Sequence, residues 1–342
     1  MKFGLLFRPQ DPPDAKNIRR RWQEILRASE LAEDVGFDGL FVPEHHMLDD
    51  GYLPAPLIGM AAIAARTRRV DVGSTILLSP LYNPVQLAEH AAMIDVISGG
   101  RLILGCGLGN YAPEFELMGR SKSNQVALFE EGIRIMRRLW TGEELDYESD
   151  VYRFKGRIRP LPGNIRLWMG AQSVPGVKRA ARLGAPWPTD PLHSIHVIAD
   201  WARVYRETAE EYGTLPQTSV ALLRDGWVAD DMDAVEREWW SCIRAEHWFY
   251  ISQIPRWDEE REPFLAGVKE EKDLTFAGHH VDRLVVGNPE QCIETIRRFE
   301  SIVGNDYLIM TLRMAAGPDH GKELEAIHRF GTEVIVGYRS GG

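Results

Sequence analysis

Cysteine is scarce in this chain: three residues in 342, Cys106, Cys242 and Cys292. The number is odd and no pair is spaced C-x-x-C. Neither a disulfide framework nor a cysteine zinc site is expected, and a reducing cytoplasm suits the chain. Long apolar runs are missing too. The longest uncharged one, residues 53–65, contains Pro54 and Pro56 and falls short of the roughly 20 residues that cross a bilayer. Residues 3–7 form a brief apolar run behind a single lysine, so no signal peptide is expected. Nor is there an excess of positive charge. Lys+Arg 40 against Asp+Glu 50 leave a net charge of −10, which argues against nucleic acid or an anionic membrane as a partner.

Familiar catalytic signatures are absent as well. There is no P-loop, no G-x-S-x-G and no H-E-x-x-H. Gly105-Cys106-Gly107-Leu108-Gly109 fails the dinucleotide-binding spacing and follows the fourth strand rather than the first. The His45-His46 and His279-His280 pairs are far apart in sequence, and no metal is expected.

What is present is ordinary globular composition, 44% apolar and 26% charged, in which short β-rich runs alternate with helical patterns. Residues 2–7, 41–42, 70–78, 101–104, 165–169, 187–192, 219–229, 283–286 and 307–312 read as β runs. Helical spacing marks residues 22–35, 56–67, 124–139, 175–183 and 195–212, with a closing helix from Leu324 to Val334. Asn83, Pro84 and Gln86 form a helix start, repeated at Asn288, Pro289 and Gln291. Residues 142–162 read as an irregular β excursion. About eight β/α units in this length indicate one domain over residues 1–342, a TIM (β/α)8 barrel with top-face insertions. On periodicity alone a doubly wound sheet stays open. Residues 230–280 interrupt the pattern with Trp239, Trp240, Trp248, Phe249, Tyr250 and Trp257. This insertion reads as a lid, an interface between subunits, or a hairpin packing its own aromatics.

Pro43-Glu44-His45-His46 follows the second strand, at the rim where barrel sites form. Adjacent histidines point different ways, so at most one faces the pocket. Glycines 105, 107 and 109 let backbone approach a flat ligand or simply pack closely. Gly170-Ala171-Gln172-Ser173 opens a helix. Ser173 is a plausible N-cap, and free N–H groups there suit a phosphate. Lys178, Arg179 and Arg182 add charge nearby or only solvate the helix. Cys106 reads as a small apolar filler.

Taken in order, Phe41-Val42-Pro43-Glu44-His45-His46 and residues 72–76, 83–89, 98–107, 111–115, 179–184 and 286–290 resemble the bacterial luciferase-like flavin monooxygenases, over nearly the whole chain. The resemblance implies a TIM barrel that binds reduced FMN at the top of its strands. Oxygen would form a flavin 4a-peroxide there and oxidise a small apolar organic substrate. His45 takes the family's usual catalytic position. The cofactor would meet Glu44, Ser74, Thr75, Ile76, Leu108, Asn110, Tyr111, Ala171, Gln172 and Ser173. A non-prolyl cis peptide would fall at Ser74-Thr75 or Thr75-Ile76. Luciferase proper has an arginine where Leu108 stands and another near Asn124-Gln125; both are missing, and Arg153, Arg157 or Arg159 would have to compensate. A separate flavin reductase would supply the reduced FMN, and a homodimer or homotetramer is expected. The resemblance also admits a deazaflavin-dependent hydride-transfer enzyme, or a non-catalytic flavin-binding protein.

Overall fold

The computed structural model describes residues 1–12, 14–252 and 260–341. Nine parallel strands form its main sheet. Eight of them follow one another around a ring: Lys2–Leu6, Gly39–Val42, Asp71–Ser74, Leu102–Cys106, Arg166–Met169, Trp187–Pro188, Val220–Val228 and Tyr307–Thr311. The first strand pairs with the last, Lys2 opposite Tyr307. Between the fifth and sixth, the Met169 N–H donates to the Pro186 carbonyl at 2.9 Å and completes the circle. The ninth strand, Val285–Gly287, pairs with the upper part of the seventh, Val286 opposite Trp227. The β excursion is an antiparallel hairpin, Leu145–Glu148 with Arg153–Gly156. The fold is therefore the barrel, not the doubly wound sheet.

Local chemistry explains the helix starts. Asn83 Oδ1 accepts the Val85 N–H at 2.9 Å and opens Pro84–Ser98. Asn288 and Gln291 exchange a full capping box at the start of Pro289–Val303. Helix Pro56–Arg66 turns Leu57, Met60 and Ile63 into the core and leaves Ile58 outside. The third strand ends sooner than its apolar run, which continues through Leu78. Past Ser74 the chain leaves the ladder at Thr75 and Ile76 and returns for one bridge, Leu77 beside Cys106. Leu77 and Leu78 are both buried.

Aromatic rings fill the barrel interior. Phe41 and Trp168 stack at 5.7 Å, and Tyr307 meets Phe41 edge-on at 5.8 Å. Leu6, Ile103, Leu223 and Ile309 complete this cluster. Glycines on neighbouring strands make the room. A Cβ at Gly39 would lie 2.2 Å from Tyr307 Oη, and one at Gly4 would lie 2.7 Å from the Phe41 ring. At the lower end Asp71 accepts a bidentate pair from Arg166, both at 2.8 Å.

The insertion contributes helices Met232–Val235, Ser241–Ile251 and Phe276–His279. Trp239 and Trp240 are buried; the Trp239 indole stacks on Trp227 and donates to the Leu312 carbonyl at 2.9 Å. Trp240 packs against Phe276. Trp239 thus fastens the insertion to the barrel, and Trp240 ties the insertion to itself. Trp257 lies outside the described residues.

Replacing Gly39 with alanine forces a methyl group onto Tyr307 and should destabilise the protein by about 1–3 kcal/mol. Chemical denaturation of Gly39→Ala checks this, and an unchanged midpoint contradicts the packing argument.

Candidate functional site

Glu44 follows the second strand by two residues and is buried. Its oxygens are fully occupied. Oε1 accepts the Tyr82 hydroxyl at 2.5 Å and the His46 ring N–H (Nε2) at 3.0 Å. Oε2 accepts the Leu78 N–H. A buried carboxylate requires such partners, since leaving water costs it hydration. Glu44, expected beside a cofactor, anchors the segment that leaves the third strand. The hydrogen bond to Glu44 raises the His46 pKa, against the effect of burial.

His45 points the other way. Its Nδ1 lies 3.0 Å from Glu114 Oε1, and the same oxygen accepts the His46 N–H at 2.8 Å. Glu114 sits on helix Ala112–Leu117 and is wholly buried. Burial pushes its carboxyl up, but the hydrogen bonds from the His45 ring and the His46 N–H outweigh it and hold the pKa below the usual range. An ionised carboxylate only accepts, so His45 Nδ1 carries the proton and Nε2 is left for chemistry. The ring is one-quarter exposed and meets Tyr52 edge-on, centroids 4.8 Å apart. Of the two histidines, one braces the fold and the other faces outward.

The Thr75-Ile76 peptide is cis. Thr75 Oγ1 is buried without a partner. Ser74 is spent within the sheet, its hydroxyl donating to the Gly105 carbonyl at 2.9 Å and accepting the Gly105 N–H at 3.1 Å. Gly107 and Gly170 close on the Ile76 side chain. A Cβ at Gly107 would lie 1.8 Å from Ile76 Cδ1, and one at Gly170 2.6 Å from Cγ2. The ends of the fourth and fifth strands thus present Ile76 on a ledge of bare backbone. Cys106 is a buried filler, its thiol pushed up to about 12 by burial.

Ser173 caps helix Val174–Arg182, accepting the Gly176 N–H at 3.4 Å, and both Gln172 and Ser173 are exposed. The Ala171 carbonyl is taken by the Trp187 indole at 3.0 Å. Four of the six expected extra cations are engaged elsewhere. Arg179 and Arg182 turn to Glu130, Arg153 to Glu148, and Arg159 to the Ile158 carbonyl. Leu108 is half-buried and Tyr111 exposed. Between them, the Asn110 carbonyl accepts the Lys122 ammonium, which sets a cation on this loop. The recess edged by Arg137, Arg166 and Gln217 sits at the opposite, N-terminal end of the fifth strand.

Sequence reasoning missed Glu114, Tyr52, Tyr82 and Lys122 in these roles. Glu114 lay inside a quoted segment, residues 111–115, and a buried acid near a rim histidine was the signal available. Nothing local marks the two tyrosines.

The family model described as luciferase-like monooxygenase matches residues 1–306. The oxygenase component of flavin-dependent trigonelline monooxygenase from Acinetobacter baylyi is 23% identical, across 90% of this chain and 88% of that protein. F420-dependent glucose-6-phosphate dehydrogenase from Amycolatopsis mediterranei is 32% identical over a shorter stretch, 38% of this chain and 41% of that protein. Among solved structures, the oxygenating constituent of 3,6-diketocamphane monooxygenase from Pseudomonas putida, in complex with FMN, superposes with a TM-score of 0.83. It is 19% identical and covers 98% of each chain.

The raised pKa of His46 makes stability pH-dependent. A pKa higher in the folded state than its ordinary 6.5 adds stability below pH 6.5, lost as pH climbs through the folded value. The difference in unfolding free energy between wild type and His46→Gln should be largest below pH 6.5 and shrink above it. A difference that is constant with pH contradicts the assignment.

Proposed function

The chain belongs to the luciferase-like monooxygenase family, and from that premise we propose that it binds reduced FMN at the barrel mouth and uses O2 to oxidise a small organic substrate. The observation that carries this reading is the His45–Glu114 pair at the rim of the barrel that also holds the Ile76 ledge. The residues fit a flavin. Gly107 and Gly170 seat the Ile76 side chain against bare backbone as a floor for a flat ring, Thr75 Oγ1 is a buried group in need of a partner, and the Ser173 helix start offers N–H groups to a phosphate. Lys122 on the Asn110 loop supplies a positive charge where Leu108 brings none.

When bound, reduced FMN supplies the two electrons with which one oxygen atom of O2 enters the substrate and the other leaves as water. His45 holds its Nδ1 proton toward Glu114 and offers Nε2 for proton transfer at the reacting centre. Glu114 stabilises the ring when it is charged. The insertion helix Ser241–Ile251, through Glu246 on Arg8 and His247 on Asp225, closes over residues of the first and seventh strands and limits water. The chain has no nicotinamide fingerprint, so a separate reductase is the source of reduced FMN.

Anaerobic titration with reduced FMN and with reduced deazaflavin tests the reading. Tighter binding of FMN, with His45→Ala keeping that affinity but losing about 10²–10⁴-fold in turnover, is the expected result. Preference for the deazaflavin assigns the chain to hydride transfer instead, and full turnover in His45→Ala removes its role.

Ser173→Ala should weaken FMN by about 1 kcal/mol and leave riboflavin nearly unaffected. Equal losses for both ligands rule out a phosphate at this helix start.

A further inference from the structure

A second polar group of side chains lies beside His45, built from parts of the chain that are far apart in sequence. Arg8 follows the first strand with the same inward alternation as Leu6, and Asp225 repeats that of Ala221 and Leu223 on the seventh strand; Leu6, Ala221 and Leu223 all belong to the barrel's inner cluster. Both polar residues are more than nine-tenths buried. Helix Ser241–Ile251 sets two residues on them. Glu246 Oε1 lies 3.4 Å from Arg8 Nη2, and His247 Nε2 lies 2.7 Å from Asp225 Oδ2. Arg8 Nη1 donates to the Tyr52 hydroxyl at 2.8 Å, and Tyr52 is the ring against which His45 rests. The patch is thus one side chain from the proposed catalytic imidazole.

Two polar atoms of this patch are buried with no hydrogen-bond partner, the Nε–H of Arg8 and Oδ1 of Asp225, and a third, Glu246 Oε1, has the Arg8 ion pair but no hydrogen bond. Each such atom is costly, and a cluster of them at a barrel mouth marks a place where a ligand completes the set. Their chemistry defines that ligand. Arg8 is ion-paired with Glu246, and the Asp225 carboxylate is hydrogen-bonded to His247. A substrate carboxylate would face two carboxylates, and a cation would face Arg8. One donor and two acceptors remain, which suits a neutral group able both to accept and to donate. Trp239 and Trp240 of the insertion are buried in packing contacts.

We propose that Arg8, Glu246 and Asp225 form the substrate anchor, and that the substrate is a neutral hydroxylated ring, a phenol or enol. Its oxygen accepts from Arg8 Nε–H, and its O–H donates to Glu246 or Asp225. What happens to that ring rests on the flavin reading above; its recognition does not. A site built to hydrogen-bond a hydroxyl rejects the analogue without one strongly, because its own buried groups are then left unpaired.

Calorimetric titration of the full chain with 4-ethylphenol, ethylbenzene and nonanal tests the anchor, with the Kd for FMN measured on the same samples. The phenol should bind roughly 100-fold more tightly than ethylbenzene. The double variant Arg8→Met/Glu246→Gln, which leaves neither ion buried alone, should shrink that ratio to about threefold and keep the wild-type affinity for FMN. Glu246→Gln alone should lower phenol affinity about tenfold and serves if the double variant fails to fold. Equal binding of the two rings, no phenol binding, preference for nonanal, or an undiminished ratio in a folded variant overturns the proposal. Loss of FMN binding with the phenol preference intact overturns the flavin reading and leaves the anchor standing.

Discussion

A carboxylate drawn out of water keeps its charge only where hydrogen bonds replace its hydration, and at Glu44 that requirement organises the barrel mouth. The three groups it recruits come from different places: the Leu78 backbone, the Tyr82 hydroxyl and the His46 ring. Holding Leu78 fixes the turn that carries Thr75 and Ile76. Turning His46 inward leaves His45, next along an extended chain, to point away toward Glu114. Glu114 then accepts from both the His45 ring and the His46 N–H. One buried charge therefore sets the ledge and the imidazole together.

Much of the scaffold was legible because its causes are local. The caps at Asn83, Ser173 and Asn288 need only the next three residues, and all three form. The β/α alternation was visible for the same reason. The third strand was read too long because the chain breaks from the ladder at Thr75 and Ile76 and returns only for a single bridge at Leu77. At the site, His45 and His46 could be named, but which one faces outward depends on Glu44 and Glu114, and no spacing reveals where a carboxylate points. Arg8 and Glu246 stand at opposite ends of the barrel sequence, so their ion pair exists only once the ring has closed. The tryptophans of the insertion announced burial correctly and its location not at all.

The insertion combines two kinds of contact. Trp239 docks it through area on Trp227, with an indole hydrogen bond to Leu312 just past the last strand. About two turns further on, Glu246 and His247 dock it through polar contacts, onto Arg8 and Asp225. The apolar contacts are indifferent to what the barrel holds. The polar ones share atoms with any ligand bound beneath the helix, so occupancy of the mouth and seating of this helix are energetically coupled.

The stacked Phe41, Trp168 and Tyr307 rings have a consequence for traffic. With glycines on the adjoining strands letting these rings fill the interior, the barrel has a stopper rather than a bore. Whatever reaches the upper end must therefore arrive and depart on that side, never along the barrel axis.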